Sequence, residues 1–205
     1  MPLSPPTTLR DRAAQLVFVR LGSNMTPPVT ASDDAERVAA LLERATFGGV
    51  LLFNGRFPDV ADRLAALQAT SRYPLLVAAD IERGAGQQVE GATVFPHAMA
   101  FGALGAEAAS AIEALARATA REALACGIHQ TYAPVADVNL HPRNPIISIR
   151  AFGTEPEAVA RHVRAYVRGC RAEGLLTTAK HFPGHGRTAR DTHDALPAVE
   201  ASEEA

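Results

Sequence analysis

Short runs of wholly apolar residues alternate along this chain with amphipathic stretches of helical period. That alternation constrains its fold more than any other feature. Residues 16–21 form a first β-rich run. Residues 33–44 then read as a helix, with Val38, Leu41 and Leu42 on one face and Asp33 and Glu36 spaced as a capping box. Gly48-Gly49 ends it, and 50–53 is a second strand closed by Asn54-Gly55. Val60, Leu64 and Leu67 mark the next helix, and 75–79 is a third strand ending at Asp80. A long Ala-rich helix over 107–126 stops at Gly127, with Glu113 and Arg117 at a supportive i,i+4 spacing. Residues 131–135 read as a fourth strand. Thr154-Glu155-Pro156-Glu157 opens a helix whose buried stripe is Val159, Val163, Tyr166, Val167 and Cys170, closed by Gly174. Residues 176–179 are a fifth strand running into Lys180-His181.

Strands alternating with helices imply a parallel sheet, and uniformly apolar strands imply that both its faces are covered. Polar residues follow the strand ends: Asn54, Asp80, Asp137 and Lys180-His181. Sites in this position occur in barrels and in doubly wound sheets alike. No Gly-x-Gly-x-x-Gly follows the first strand and no Walker loop occurs, so nothing supports a nucleotide-binding doubly wound fold. The expected fold class is therefore α/β, a (β/α)8 barrel represented by about its first five units. A whole barrel takes about 250 residues, so residues 1–205 read as the N-terminal part of one barrel domain, cut short.

Composition narrows the function classes. A formal charge of −2 argues against a nucleic-acid surface, and no apolar run approaches a membrane span. The start, Met1-Pro2-Leu3-Ser4-Pro5-Pro6, lacks the regions of a secretory signal. Cys126 and Cys170 are too few for a framework and read as reduced core thiols. Together these point to a cytoplasmic protein.

The chemistry is concentrated in residues 179–194, which hold three of the seven histidines, beside two aspartates and a lysine. Pro183, Gly184 and Gly186 rule out a regular helix, so this is a shaped loop above a strand end. Asp191 and His193 are two apart. On a loop, such a carboxylate can accept the imidazole Nδ1 proton, which gives a proton-transfer group suited to neutral pH. The plain alternative is a solvated polar loop with satisfied histidines. Zinc is the sharper rival for His181, His185, His193 and Asp191. The absence of His-x-His and of a helical His-Glu-x-x-His weighs against a metal site.

Lys180-His181-Phe182-Pro183-Gly184-His185-Gly186 followed by Asp191-Thr192-His193 resembles the N-terminal barrel of glycoside hydrolase family 3, in its β-N-acetylhexosaminidase branch. Further matches lie in the family's order: Gly48 to Phe53, Asp80-Ile81-Glu82-Arg83-Gly84, Ala133 to Val138, and Arg150-Ala151-Phe152-Gly153. The resemblance covers nearly the whole chain.

It implies a retaining exo-glycosidase for terminal β-linked N-acetylglucosamine, with a small carbohydrate substrate and no cofactor. His193 would be the general acid/base and Asp191 its orienting partner. Asp80 would accept sugar hydroxyls, and Arg150, Lys180 and His181 would donate to them. Asp137 reads as structural, bonding loop amides; Glu82 is open between the two roles. The family's nucleophile, an aspartate on a loop after a later strand, has no counterpart in the chain, so the chain alone is expected to be inactive. Peptidoglycan-fragment recycling is the setting the resemblance suggests.

Two positions depart from the pattern. Ile149 stands where many such enzymes have an acidic residue before the arginine, and Arg187 stands where an aspartate is common. The alternatives within the family are a β-glucosidase or a glycoside phosphorylase. The alternative outside catalysis is an inert sugar-binding fragment.

Overall fold

A computed structural model describes residues 5–188. Asp191 and His193 lie outside the described residues. Five strands form one parallel sheet in sequential order: β1 (Phe18–Leu21), β2 (Gly49–Leu52), β4 (Leu76–Ala79), β6 (Gln130–Thr131) and β7 (Leu176–Thr177). Each strand pairs with the next without slippage, for example Val19 with Val50, Val50 with Val77 and Thr131 with Thr177. Helices follow the strands: α2 (Ala31–Arg44), α3 (Asp59–Thr70), α5 (Ala108–Ala125) and α6 (Pro156–Glu173). This is the strand and helix order of a (β/α) barrel, open between β1 and β7 among the described residues.

The core lies between sheet and helices. Leu21, Val50, Leu52, Val77 and Ala79 are buried against Val38, Val60, Leu64, Ile112 and Tyr166. Apolar burial of this kind contributes roughly 1.5–3 kcal/mol for each large side chain. α5 and α6 approach closely at Gly169, where a Cβ would sit 2.5 Å from the Glu113 carbonyl oxygen. Both cysteines are free and buried.

Several boundaries differ from the sequence reading. Thr30 caps α2, accepting from the Asp33 amide while its hydroxyl donates to the Asp33 carboxylate. The box is thus Thr30 with Asp33 rather than Asp33 with Glu36. The expected box at Thr154 does not form: Glu155 is the N-cap without a side-chain bond, and Pro156 starts α6 by fixing its own φ. Leu16 and Val17 are exposed and lie before β1, after a short helix α1 (Leu9–Ala14) that Thr8 caps. The strand expected over 131–135 is cut to Gln130–Thr131. Pro134 lacks an N–H, and pairing resumes only as an isolated bridge between Val135 and Lys180. A two-stranded side ladder, β3 (Gly55–Arg56) with β5 (Val89–Glu90), had no signal in the hydropathy pattern. A short helix α4 (Ala98–Gly102) lies in the β5–α5 connection.

Among the described residues, no helix is long and apolar enough to cross a membrane.

Candidate functional site

Parallel pairing places the carboxyl ends of the strands on one rim. Asp80 directly follows β4, and Lys180 comes three residues after β7. The turn after β4 is held from below. The Ile81 carbonyl accepts hydrogen bonds from the Thr131 hydroxyl at 3.0 Å and the buried Tyr166 hydroxyl at 3.2 Å. Gln87 grips the same turn from above, its Oε1 accepting the amides of Glu82 (2.9 Å) and Arg83 (3.2 Å). Gln88 Nε2 donates to the Asp80 carbonyl.

Four charged side chains meet on this frame. Lys180 Nζ lies 2.5 Å from Asp80 Oδ1 and 2.6 Å from Glu82 Oε1. Arg150 makes a forked pair with Glu82, from Nε at 2.9 Å and NH2 at 2.6 Å. Its NH1 donates to the Ile146 carbonyl. Glu82 and Lys180 are the most enclosed, with 12% and 14% of their side-chain surface exposed; Asp80 has 36%. Burial pushes the Glu82 carboxyl up, but the bonds from Arg150 and the charge of Lys180 outweigh it and hold it below the usual range. The Arg150 guanidinium is correspondingly held above its ordinary value, chiefly by its bond to Glu82.

A second cluster fixes the loop after Lys180. The Asp137 side chain is fully buried. Its Oδ2 accepts the His181 amide at 3.0 Å and lies 2.6 Å from His181 Nδ1; its Oδ1 accepts the His185 amide. Burial pushes this carboxyl up too, but the His181 and His185 bonds lower it overall. Asn144 ties this loop to the one that carries Arg150. Its Nδ2 donates to the His185 carbonyl at 2.7 Å, and its Oδ1 accepts the amides of Ile146 and Ile147. Gly186 is required where the loops touch, because a Cβ there would sit 1.7 Å from the Val138 carbonyl oxygen.

The arrangement matches two carboxylates to two cations and still leaves hydrogen-bonding capacity. Asp80 Oδ2 has no partner among the described residues, one ammonium proton of Lys180 remains, and Arg150 keeps one proton on each terminal nitrogen. Among the described residues, no group of three or more His, Cys, Asp or Glu side chains is arranged to hold a metal ion.

Residues 8–205 match the glycosyl hydrolase family 3 N-terminal domain. The chain belongs to that family. A β-N-acetylglucosaminidase/β-glucosidase of Cellulomonas fimi is 38% identical over 165 residues, covering 80% of this chain and 29% of that protein. A family 3 β-N-acetylglucosaminidase structure from Paenibacillus sp. str. FPU-7 superposes with a TM-score of 0.84 at 37% identity. It covers 97% of this chain and 38% of that one. A β-glucoside phosphorylase structure, BglX bound to 2FGlc, gives a TM-score of 0.79 at 30% identity over 91% of this chain and 32% of that one. The chain thus spans about a third of the length of these family 3 proteins.

Within this family 3 chain the structure brings Asp80, Arg150 and Lys180 into one cluster, with His181 beside it on the Asp137 hub. The sequence left Glu82 open between a sugar-binding and a structural role; the structure makes it the common partner of both cations. Its signals were its place two residues after a strand-end aspartate and its inclusion in the Asp80-Ile81-Glu82-Arg83-Gly84 match, neither of which names its partners. Asp137 bonds loop amides as expected and additionally binds the His181 ring. Ile149 precedes Arg150, which is held by Glu82 across the rim.

Proposed function

We propose that this chain carries the sugar-binding half of a retaining exo-β-N-acetylglucosaminidase, its nucleophile lying on a later strand loop outside the 205 residues. The single observation that carries the reading is the charge-matched cluster of Asp80, Glu82, Lys180 and Arg150 at the strand ends. Vicinal sugar hydroxyls both donate and accept. The free Asp80 oxygen and the remaining Lys180 and Arg150 protons supply the complementary acceptor and donors.

His181 Nδ1 faces Asp137, so a neutral ring that donates there presents Nε2 as an acceptor; donation to the sugar needs the imidazolium. In the first chemical step the aspartate nucleophile attacks the anomeric carbon while His193, oriented by Asp191, protonates the leaving oxygen. In the second, the same histidine takes a proton from water as the water attacks the glycosyl-enzyme, and the sugar leaves with net retention. A histidine here avoids a second anion beside the anionic nucleophile, unlike the usual carboxylate pair. The two buried free thiols fit a reducing compartment, and peptidoglycan fragments ending in N-acetylglucosamine fit as substrates there.

The test is turnover of aryl β-N-acetylglucosaminide and aryl β-glucoside by the gene product expressed in full, with the first-formed anomer followed by NMR. Faster release from the N-acetylglucosaminide with β-anomer product is expected. Exclusive α-product, or no turnover of either, overturns the reading. The structural likeness to a β-glucoside phosphorylase favours a second reading, in which phosphate replaces water. Formation of sugar 1-phosphate in phosphate buffer distinguishes it.

A further inference from the structure

Glu82 touches both cations of the rim and is the least exposed of the four charged side chains, at 12%. Its Oε1 takes Arg150 NH2 and Lys180 Nζ, both at 2.6 Å, and its Oε2 takes Arg150 Nε at 2.9 Å. Both of its oxygens are engaged by the cations, whereas Asp80 keeps one oxygen without a partner among the described residues. Gln87 fixes its backbone amide and Thr131 and Tyr166 fix the carbonyl before it, so the carboxylate is carried on an anchored turn. Removing its charge would leave two cations with one directly bonded carboxylate, Asp80, in a partly enclosed site, with Asp137 acting on Arg150 only through space and committed to the His181 ring and loop amides. The remaining excess of positive charge is what an acidic sugar requires and a neutral one does not.

We propose that Glu82 is the positioning and specificity-determining residue of the rim, holding Arg150 and Lys180 toward the sugar while cancelling their charge so that neutral pyranosides are preferred over carboxylate-bearing ones. The inference rests on the sugar-binding reading above and adds the charge class of the substrate and the residue that sets it. Arg150 stays in register because its guanidinium is forked onto Glu82 and its third arm is tied to the Ile146 carbonyl. Lys180 is shared between Glu82 and Asp80, so without Glu82 it closes onto Asp80 and withdraws the acceptor that the sugar uses.

The experiment compares inhibition of the full gene product by N-acetylglucosamine and by its C6-carboxylate analogue, in the unaltered protein, Glu82→Gln and Glu82→Asp, with folding checked by thermal melting. The unaltered protein binds the neutral sugar at least about tenfold more tightly than the acidic one. In Glu82→Gln that ratio moves toward the acidic sugar by about tenfold to a hundredfold, the scale of one unit charge at short range in a partly enclosed site. KM for the neutral substrate rises more than kcat falls. Glu82→Asp keeps the charge and shortens the reach, so it weakens both sugars but keeps the ratio. Equal binding of the two sugars by the unaltered protein overturns the inference even if Glu82→Gln does not fold. An unmoved ratio in folded Glu82→Gln, or an equal shift in Glu82→Asp, also overturns it. Absence of any N-acetylglucosaminide turnover in the unaltered protein fails the parent reading instead, a separate outcome.

Discussion

Lys180 Nζ donates to Asp80 Oδ1 at 2.5 Å across a sequence separation of 100 residues, joining the end of the third sheet strand to the loop after the fifth. On the proposed sugar-binding role, alanine at either position removes charge-assisted bonds to the sugar, worth on the order of 1.5–3 kcal/mol each. Both Lys180→Ala and Asp80→Ala should lower kcat/KM by roughly 10- to 150-fold in the full gene product. Lys180→Ala should lower thermal stability more, because it leaves Asp80 and Glu82 without their shared cation. Steady-state kinetics and melting curves check both statements.

Asp137→Ala leaves the amides of His181 and His185 and the His181 ring without their buried acceptor. Removing one side of such a cluster costs roughly 2–5 kcal/mol. For a chain of this size that is a fall in Tm on the order of 10 °C. Gly186→Ala should disrupt the same loop by collision with the Val138 carbonyl. Calorimetry on each variant gives the comparison.

Acid should weaken the site and the fold together. Glu82 and Asp137 are both held below their ordinary values in the folded protein, so the unfolded chain takes up protons first as pH falls. The stability they contribute is complete above the unfolded carboxylate range, about pH 4–4.5, and is lost as pH drops through their lower folded values. Tm should therefore be nearly level from pH 7 to about 5 and fall below about 4, with a shallower fall in Glu82→Gln. Melting curves across this pH range measure it.

The thiols should be inert while the protein is folded. Burial pushes Cys170 up to about 12, against a smaller lowering by Tyr166, and burial with the Glu122 charge raises Cys126. The thiolate is the reactive form. An aromatic disulfide reagent at pH 8 should label neither cysteine quickly in the native protein and both after denaturation.

The acid/base assignment predicts a dependence on leaving group. In the full gene product, His193→Ala should slow glycosylation most for poor leaving groups, within the ~10²–10⁴-fold range of general acid–base assistance. Nitrophenyl substrates should lose less, and Asp191→Asn should give a milder version. Pre-steady-state rates for both substrate types decide it; equal losses would make His193 a binding residue and direct the search to His185. A polypeptide of residues 1–205 alone should show no turnover.

Periodicity alone determined the parallel α/β order, because apolar strands and one-sided helices are local patterns. Val60, Leu64 and Leu67 are buried as their spacing requires, and Gly174 ends its helix in the left-handed region that glycine favours. Strand-end position also singled out Asp80 and Lys180. The side ladder of Gly55–Arg56 with Val89–Glu90 left no such pattern, since two-residue strands carry no period. Nor does any local pattern pair Glu82 with Arg150, 68 residues apart, or Asp137 with His181, 44 apart. Only the parallel register brings those loops to one rim. There, partial burial makes each carboxylate depend on its cation or hydrogen-bond donors, and tertiary structure decides which charges are shared and which polar atoms keep bonding capacity.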